Sequence, residues 1–331
     1  MARRMRIFIF AAIAEILLCT LTPLMRGADM APKLTPGRHQ LVINAAGHEW
    51  TASVQVPKSY DGTKRVPAVM ILHGAGGNGR HYLDKAGWAN KAGEVGFIAI
   101  APDGLPVRPN SPESFNSNPC VWNSGQLLPR SPRARIDDLV FIRALIEEIE
   151  RRANLDTNRL YLAGHSNGAG MAYRLAAEMP ERFAAVAPVA SQCWVLNPQP
   201  KKPLPTLFII GTDDPLVPFN GGESTLPWGG KRYTPPVEGS LEKWARAIHC
   251  STQPVAVTET NTVRVVEYRP ETGGALFRAC FIEGHGHQWP GSRQVLPMRF
   301  SGADTSPLKA TDVIWEFFEE QHRAASATGV N

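Results

Sequence analysis

The chain has 331 residues, 43% of them hydrophobic and 20% charged, with 29 Gly and 28 Pro. This composition excludes a collagen-like or largely disordered chain, and a chain of this size typically buries ~75% of its unfolded surface. The net charge is +5, but Arg3, Arg4, Arg6 and Arg26, against Glu15, fall in the first 28 residues. The remainder balances to +2 and holds no long Lys/Arg run, which argues against nucleic acid as a partner.

Residues 3–6 carry three Arg, and residues 7–25 are mostly apolar, broken by Glu15 and closed by Pro23. A basic start followed by an apolar stretch predicts a secretory signal peptide over residues 1–28. Glu15 would be costly in lipid, which argues against a retained anchor and against stable membrane insertion after processing. Ala28 is small enough for a cleavage site, although Arg26 two residues earlier fits one poorly. The expected location is extracellular or periplasmic. Export makes the cysteines informative: with Cys19 set aside, Cys120, Cys193, Cys250 and Cys280 remain. An even number in an oxidising compartment predicts two disulfides.

Residues 38–56 alternate as two β runs around Ala46-Gly47, a hairpin. VPAVMILHG (66–74) and GFIAIAPDG (96–104) are continuous apolar runs, the mark of strands buried on both faces. A helix is predicted over 80–93 between them. Residues 104–135 are rich in Pro, Ser and Asn and read as a long loop of the kind that serves function. Asp137 or Asp138 opens the next helix, whose Leu139, Ile142, Ile146 and Ile149 share one face. RLYLAGHS (159–166) reads as a strand and residues 167–179 as a helix stopped by Pro180. Strands follow at 183–190 and 206–211, then a Gly/Pro-rich loop at 212–236. A helix at 237–249, a hairpin at 255–269, a strand at 276–283 and a helix at 310–322 complete the chain. Alternating strands and helices predict an α/β fold, a mainly parallel sheet covered on both faces. With no repeat and no linker, a single domain over 35–325 is expected.

Gly164-His165-Ser166-Asn167-Gly168 matches G-x-S-x-G and lies between a strand and a helix. A sharp turn there exposes Ser166, with small residues needed on both sides. A serine hydroxyl needs a base and an orienting acid to act as a nucleophile. In this architecture the order is Ser, acid, His. The acid is Asp213 or Asp214, after the strand at 206–211; the base is His285 or His287, after the last strand. His285 and His287 could also be two metal ligands, but no third ligand cluster accompanies them, so neither metal nor organic cofactor is expected. An oxyanion hole needs two N–H groups. Asn167, next to the nucleophile, is one candidate, and Ala75 in His73-Gly74-Ala75-Gly76-Gly77-Asn78-Gly79 is the other. His73 is expected to brace that loop. Trp122, Trp194, Trp228 and Trp289 lie in loops at the carboxyl ends of strands, where aromatic faces can hold substrate.

LHGAGGNG (72–79), APDG (101–104), GHSNGAGMAYRLA (164–176), FAAVAPVA (183–190), GTDDPLVPFNGG (211–222) and GHQWPG (286–291) occur in this order. Together they resemble the secreted polyhydroxybutyrate depolymerase-like esterases, a group related to the feruloyl and acetylxylan esterases of carbohydrate esterase family one. The resemblance implies an α/β-hydrolase fold and a secreted serine esterase, with Asp214 as the acid and His287 as the base. It implies hydroxyalkanoate oligomers as substrate, or alternatively feruloyl or acetyl esters of plant polysaccharide. The partner is then a small ester, a polyester oligomer or an ester-decorated polysaccharide. A non-catalytic binding protein retaining the fold is the third alternative, and the intact Ser166, Asp214 and His287 argue against it. The family often places a Cys just before the last strand, where this chain reads Pro270-Glu271-Thr272-Gly273-Gly274. A Cys250–Cys280 bond therefore departs from the family pattern; Cys120–Cys193 would link two loops near the site.

Overall fold

The computed structural model describes residues 32–323; the signal-peptide expectation lies outside the described residues. The chain opens with the hairpin β1 (Gly37–Ala45) and β2 (His48–Val56), turning at Ala46 and Gly47, both at positive φ. Then come β3 (Val66–Leu72), α1 (Gly79–Lys85), α2 (Trp88–Val95) and β4 (Ile98–Pro102). The single helix expected over 80–93 is two helices. Gly87 adopts φ 81°, a left-handed conformation that breaks the helix and that glycine adopts without a Cβ penalty. Asn78 caps α1, its side chain accepting from the His81 N–H.

The long loop at 104–135 carries the short pair β5 (Leu105–Pro106) and β6 (Cys120–Val121) and a 3-10 turn at Pro132–Arg135. It is fastened from within. Arg133 and Asp138 are fully buried and ion-paired, and the guanidinium also donates to the Val121 carbonyl and lies 5.4 Å from the Trp50 ring centroid. Asp137 is the N-cap of α3 (Asp138–Arg152), so of the two candidate residues one caps the helix and the other turns inward. α3 buries Phe141, Ile142, Leu145, Ile146 and Ile149, which recur at three- and four-residue spacing.

Next come β7 (Leu155–His165), α4 (Asn167–Glu178), β8 (Ala185–Val189) and β9 (Thr206–Gly211). The Gly/Pro-rich stretch at 212–236 is not featureless. It holds a small antiparallel hairpin, β10 (Gly222–Thr225) and β11 (Lys231–Thr234). The chain ends with α5 (Val237–Ala247), β12 (Val255–Glu259), β13 (Val263–Tyr268), β14 (Phe277–Ile282), α6 (Met298–Ser301) and α7 (Ala310–Glu319).

Among the described residues, ten strands form one sheet in the order β1-β2-β4-β3-β7-β8-β9-β14-β13-β12. The six central strands, β4 through β14 in that order, run parallel to one another; both flanks are antiparallel. Alternation sends successive side chains to opposite faces. Ala68, Met70 and Leu72 of β3 and Leu160 and Leu162 of β7 pack into one core, while Val69, Ile71, Tyr161 and Ala163 pack into the other. This is why β3 reads as an unbroken apolar run. β4 lies on one side of β3 and β7 on the other, so the chain reverses its direction of travel across the sheet there. Crevices form at the carboxyl ends of strands at such a point.

The two expected disulfides are absent among the described residues: Cys120, Cys193, Cys250 and Cys280 are free and buried. Cys250 packs in the core on one face of the sheet and Cys280 in the core on the other, so the sheet separates them. The Cys120 thiol donates to Glu113, and Cys193 lies beside the Val195 carbonyl, each with a partner other than the opposite sulfur.

Candidate active site

Ser166 follows β7 directly and precedes α4. Its φ is 54° and ψ −122°, a strained conformation for a residue with a Cβ. The turn closes because its neighbours are glycine. A Cβ on Gly164 would lie 2.3 Å from the Gly168 carbonyl oxygen, and one on Gly168 would lie 2.3 Å from the Leu72 carbonyl oxygen. The Ser166 N–H donates to the Val189 carbonyl of β8, which ties the elbow to the next strand.

The structure brings together the three residues that sequence spacing leaves 48 and 73 positions apart. The Ser166 hydroxyl lies 2.7 Å from His287 Nε2, and His287 Nδ1 lies 2.6 Å from the Asp214 carboxylate. Asp214 is buried, and its other oxygen accepts from the Leu216 and Val217 N–H groups, each at 2.8 Å. With the carboxylate held on both oxygens, His287 is steered to keep its Nδ1 proton and to present Nε2 to the serine. The alternative residues lie elsewhere. Asp213 is exposed, and its N–H donates to the His285 carbonyl. His285 is turned away from Ser166, with Nε2 3.1 Å from the Gln288 carbonyl and Nδ1 3.3 Å from Asp304.

The loop after β3 forms the facing wall. Its Gly76 and Gly77 N–H groups donate to the Cys120 and Gly74 carbonyls, whereas the Ala75 N–H has no acceptor among the described residues. Asn167 opens α4, so its N–H likewise lacks an intrahelical acceptor. Both residues line the cavity that contains Ser166. The loop is braced as the sequence reading expects. His73 donates from Nδ1 to the Gly74 carbonyl and accepts the Gly104 N–H at Nε2, and Asp103 accepts the Gly79 N–H. Burial holds the His73 pKa below its ordinary value, which keeps the ring neutral and able to accept.

His165 packs behind the site, with Nδ1 2.6 Å from the Tyr82 hydroxyl and its ring centroid 5.1 Å from that of His287. Burial first, and then His287 and His285, push its pKa well down. A neutral His165 lets His287 take up a proton without a like charge beside it.

The cavity has a volume of ≈ 550 Å³ and walls that are mostly apolar, including Phe115, Leu127, Leu216 and Leu296. Of the four tryptophans expected to touch substrate, Trp228 lines it. The other three are structural. Trp122 is fully buried and donates to the His73 carbonyl. Trp289 is buried against Trp88 and donates to Thr311. Trp194 packs outside the cavity, against Gly170 and the Gly125 backbone. Three features escape the sequence reading. The Asn167 side chain clamps the backbone of Trp122 through both its N–H and its carbonyl. Tyr82 supports His165, and Arg232 of β11 projects into the cavity. None carries a local signal, since each depends on which loop packs against which.

This geometry activates one hydroxyl beside two unpaired N–H groups, in a crevice at the carboxyl ends of parallel strands. Such an arrangement, in such a sheet, belongs to the carboxylic-ester hydrolases of the α/β-hydrolase fold with a Ser-His-Asp triad. Comparison of sequences makes this narrower. Residues 43–267 match the Esterase family, described as "Putative esterase", and the chain belongs to that family. It is 30% identical over 268 residues to "Putative esterase NocK" of Nocardia uniformis subsp. tsuyamanensis, covering 76% of this chain and 73% of that one. It is 27% identical over 244 residues to feruloyl esterase B of Piromyces equi, covering 71% of this chain and 42% of the relative's length. Among solved structures, an S-formylglutathione hydrolase from Agrobacterium tumefaciens superposes with a TM-score of 0.53 at 15% identity, over 88% of this chain and 98% of that one, a likeness of fold.

Proposed function

We propose that the protein hydrolyses carboxylic esters through an acyl-enzyme on Ser166, with hydroxyalkanoate oligomers as substrate. The observation that carries this reading is the unbroken relay Ser166–His287–Asp214 opening into an apolar cavity. His287 Nε2 takes the hydroxyl proton as Ser166 Oγ bonds to the ester carbonyl carbon. The Ala75 and Asn167 N–H groups hold the oxyanion. His287 then passes the proton to the departing alcohol as the C–O bond breaks. Water, deprotonated by His287, attacks the acyl-enzyme, and the acid leaves as Ser166 regains its proton. Asp214 keeps the tautomer and stabilises the imidazolium throughout. A feruloyl ester is the second reading, favoured by the named feruloyl esterase relative and by Trp228 in the cavity wall. The basic and apolar N-terminal residues 3–25 support export of the enzyme.

The test is hydrolysis of 3-hydroxybutyrate oligomers beside methyl ferulate and acetylated xylooligosaccharides. Ser166→Ala is expected to lower kcat by roughly 10⁶-fold and Asp214→Asn by roughly 10⁴-fold, with the protein folded in both cases. A Ser166→Ala protein that keeps its turnover overturns the mechanism. Faster turnover of the ferulate or acetyl esters replaces the substrate assignment and leaves the mechanism standing.

A further inference from the structure

Among the described residues, the cavity is lined by one permanently charged side chain, Arg232, and by no Asp or Glu. Arg232 sits in the β10–β11 hairpin over the site. Nη2 donates to the Leu216 carbonyl at 2.9 Å, which anchors it two residues beyond Asp214. With its amide oxygen turned inward, Gln126 accepts from Trp194 Nε1 at 2.8 Å and from Arg232 Nη1 at 3.2 Å. Arg232 Nε is buried and has no hydrogen-bond partner among the described residues. Both acceptors are neutral, and the guanidinium has no ion pair among the described residues. Asp214 acts on it electrostatically, but its oxygens are already engaged by Leu216, Val217 and His287.

A guanidinium has five N–H donors in a planar fork that matches a carboxylate. Here it is partly removed from water and lacks a counter-ion, a costly state for a charge unless something else supplies the anion. The cavity walls are otherwise mostly apolar. With the Ala75 and Asn167 N–H groups turned to the ester oxygen, the guanidinium is the charged partner left for an anionic group carried elsewhere on the substrate.

We propose that Arg232 is a specificity-determining residue that binds a carboxylate on the substrate, so that the enzyme prefers esters bearing a free acid over their neutral counterparts. The inference rests on the esterase reading and deepens it. A hydroxyalkanoate oligomer ends in such a carboxylate, whereas a feruloyl ester has none. The competing reading is that Arg232 merely clamps the hairpin to the Leu216 carbonyl.

The experiment compares the 3-hydroxybutyrate dimer with the same dimer whose terminal carboxylate is converted to a carboxamide, with 4-nitrophenyl butyrate as a general ester. In the wild type, kcat/KM for the acid is expected to exceed that for the amide by roughly tenfold to a hundredfold. Arg232→Gln should bring the ratio near one, mainly through KM, and Arg232→Lys should restore part of it. A general structural role instead lowers acid and amide alike and leaves the ratio unchanged, which overturns the proposal. A wild-type ratio of one or below also overturns it. Should Arg232→Gln fail to fold, the wild-type ratio is followed with rising salt. It should fall while 4-nitrophenyl butyrate turnover holds, and a ratio indifferent to salt refutes the charge pairing. Failure of all three esters in folded protein sinks the esterase reading itself.

Discussion

Gly168→Ala tests the idea that backbone contact, more than any side chain, sets the geometry of the elbow. The added Cβ would stand 2.3 Å from the Leu72 oxygen and 2.5 Å from the His73 oxygen. Real Cβ atoms essentially never approach closer than 3.0 Å, so α4 and the end of β3 must separate by at least 0.7 Å. Neither neighbour is a flexible side chain that could swing away. The loop after β3 carries Ala75, and the start of α4 carries Asn167, so the shift moves the two N–H donors apart. A misplacement of ~1 Å costs about 10²-fold in rate. Overpacking costs ~1–3 kcal/mol, and the helix propensity of Ala returns up to ~1 kcal/mol of it. Gly239→Ala is the control. It lies inside α5, where an added Cβ meets nothing within 4 Å, so it should stabilise by ~0.5–1 kcal/mol. Urea denaturation measures both stabilities, and 4-nitrophenyl butyrate turnover measures activity. A Gly168→Ala protein with kcat/KM within threefold of wild type, and with the stability gain of the control, would refute the reasoning.

Two further expectations follow from burial. Trp228→Ala should raise KM for esters with little loss of stability, while Trp122→Ala should cost ~3–5 kcal/mol in unfolding; paired kinetics and denaturation curves check both, and the reverse pattern would return Trp122 to the substrate groove. The four thiols should resist labelling in the native protein, because burial pushes Cys193 and Cys250 up to about 11 and Cys280 up to about 12, with Cys120 higher still. All four should react once the protein is unfolded without reductant, and a shortfall of two in a thiol count would reveal a disulfide.

The sequence by itself determined the features that depend on neighbours along the chain. Continuous apolar runs at 66–74 and 96–104 mark strands buried on both faces, because such a strand has no polar side to show. Gly164 and Gly168 mark the elbow, because the steric demand lies within five residues. The order nucleophile, acid, histidine follows from the fold that those runs define, and the structure selects Asp214 over Asp213 and His287 over His285. Tertiary structure decided whatever depends on residues distant in sequence. Four loop tryptophans look alike as letters, yet the packing of Trp122 on His73 and of Trp289 on Trp88 leaves Trp228 facing the cavity. Cys250 and Cys280 look pairable until the sheet stands between them. Arg232 is an ordinary charge in a Gly/Pro-rich stretch until a hairpin carries it over a mostly apolar cavity that no acid among the described residues lines. Periodicity and glycine sterics are local and can be read from the chain. Which loops share a cavity, and what a buried charge lacks, are set by contacts across the fold.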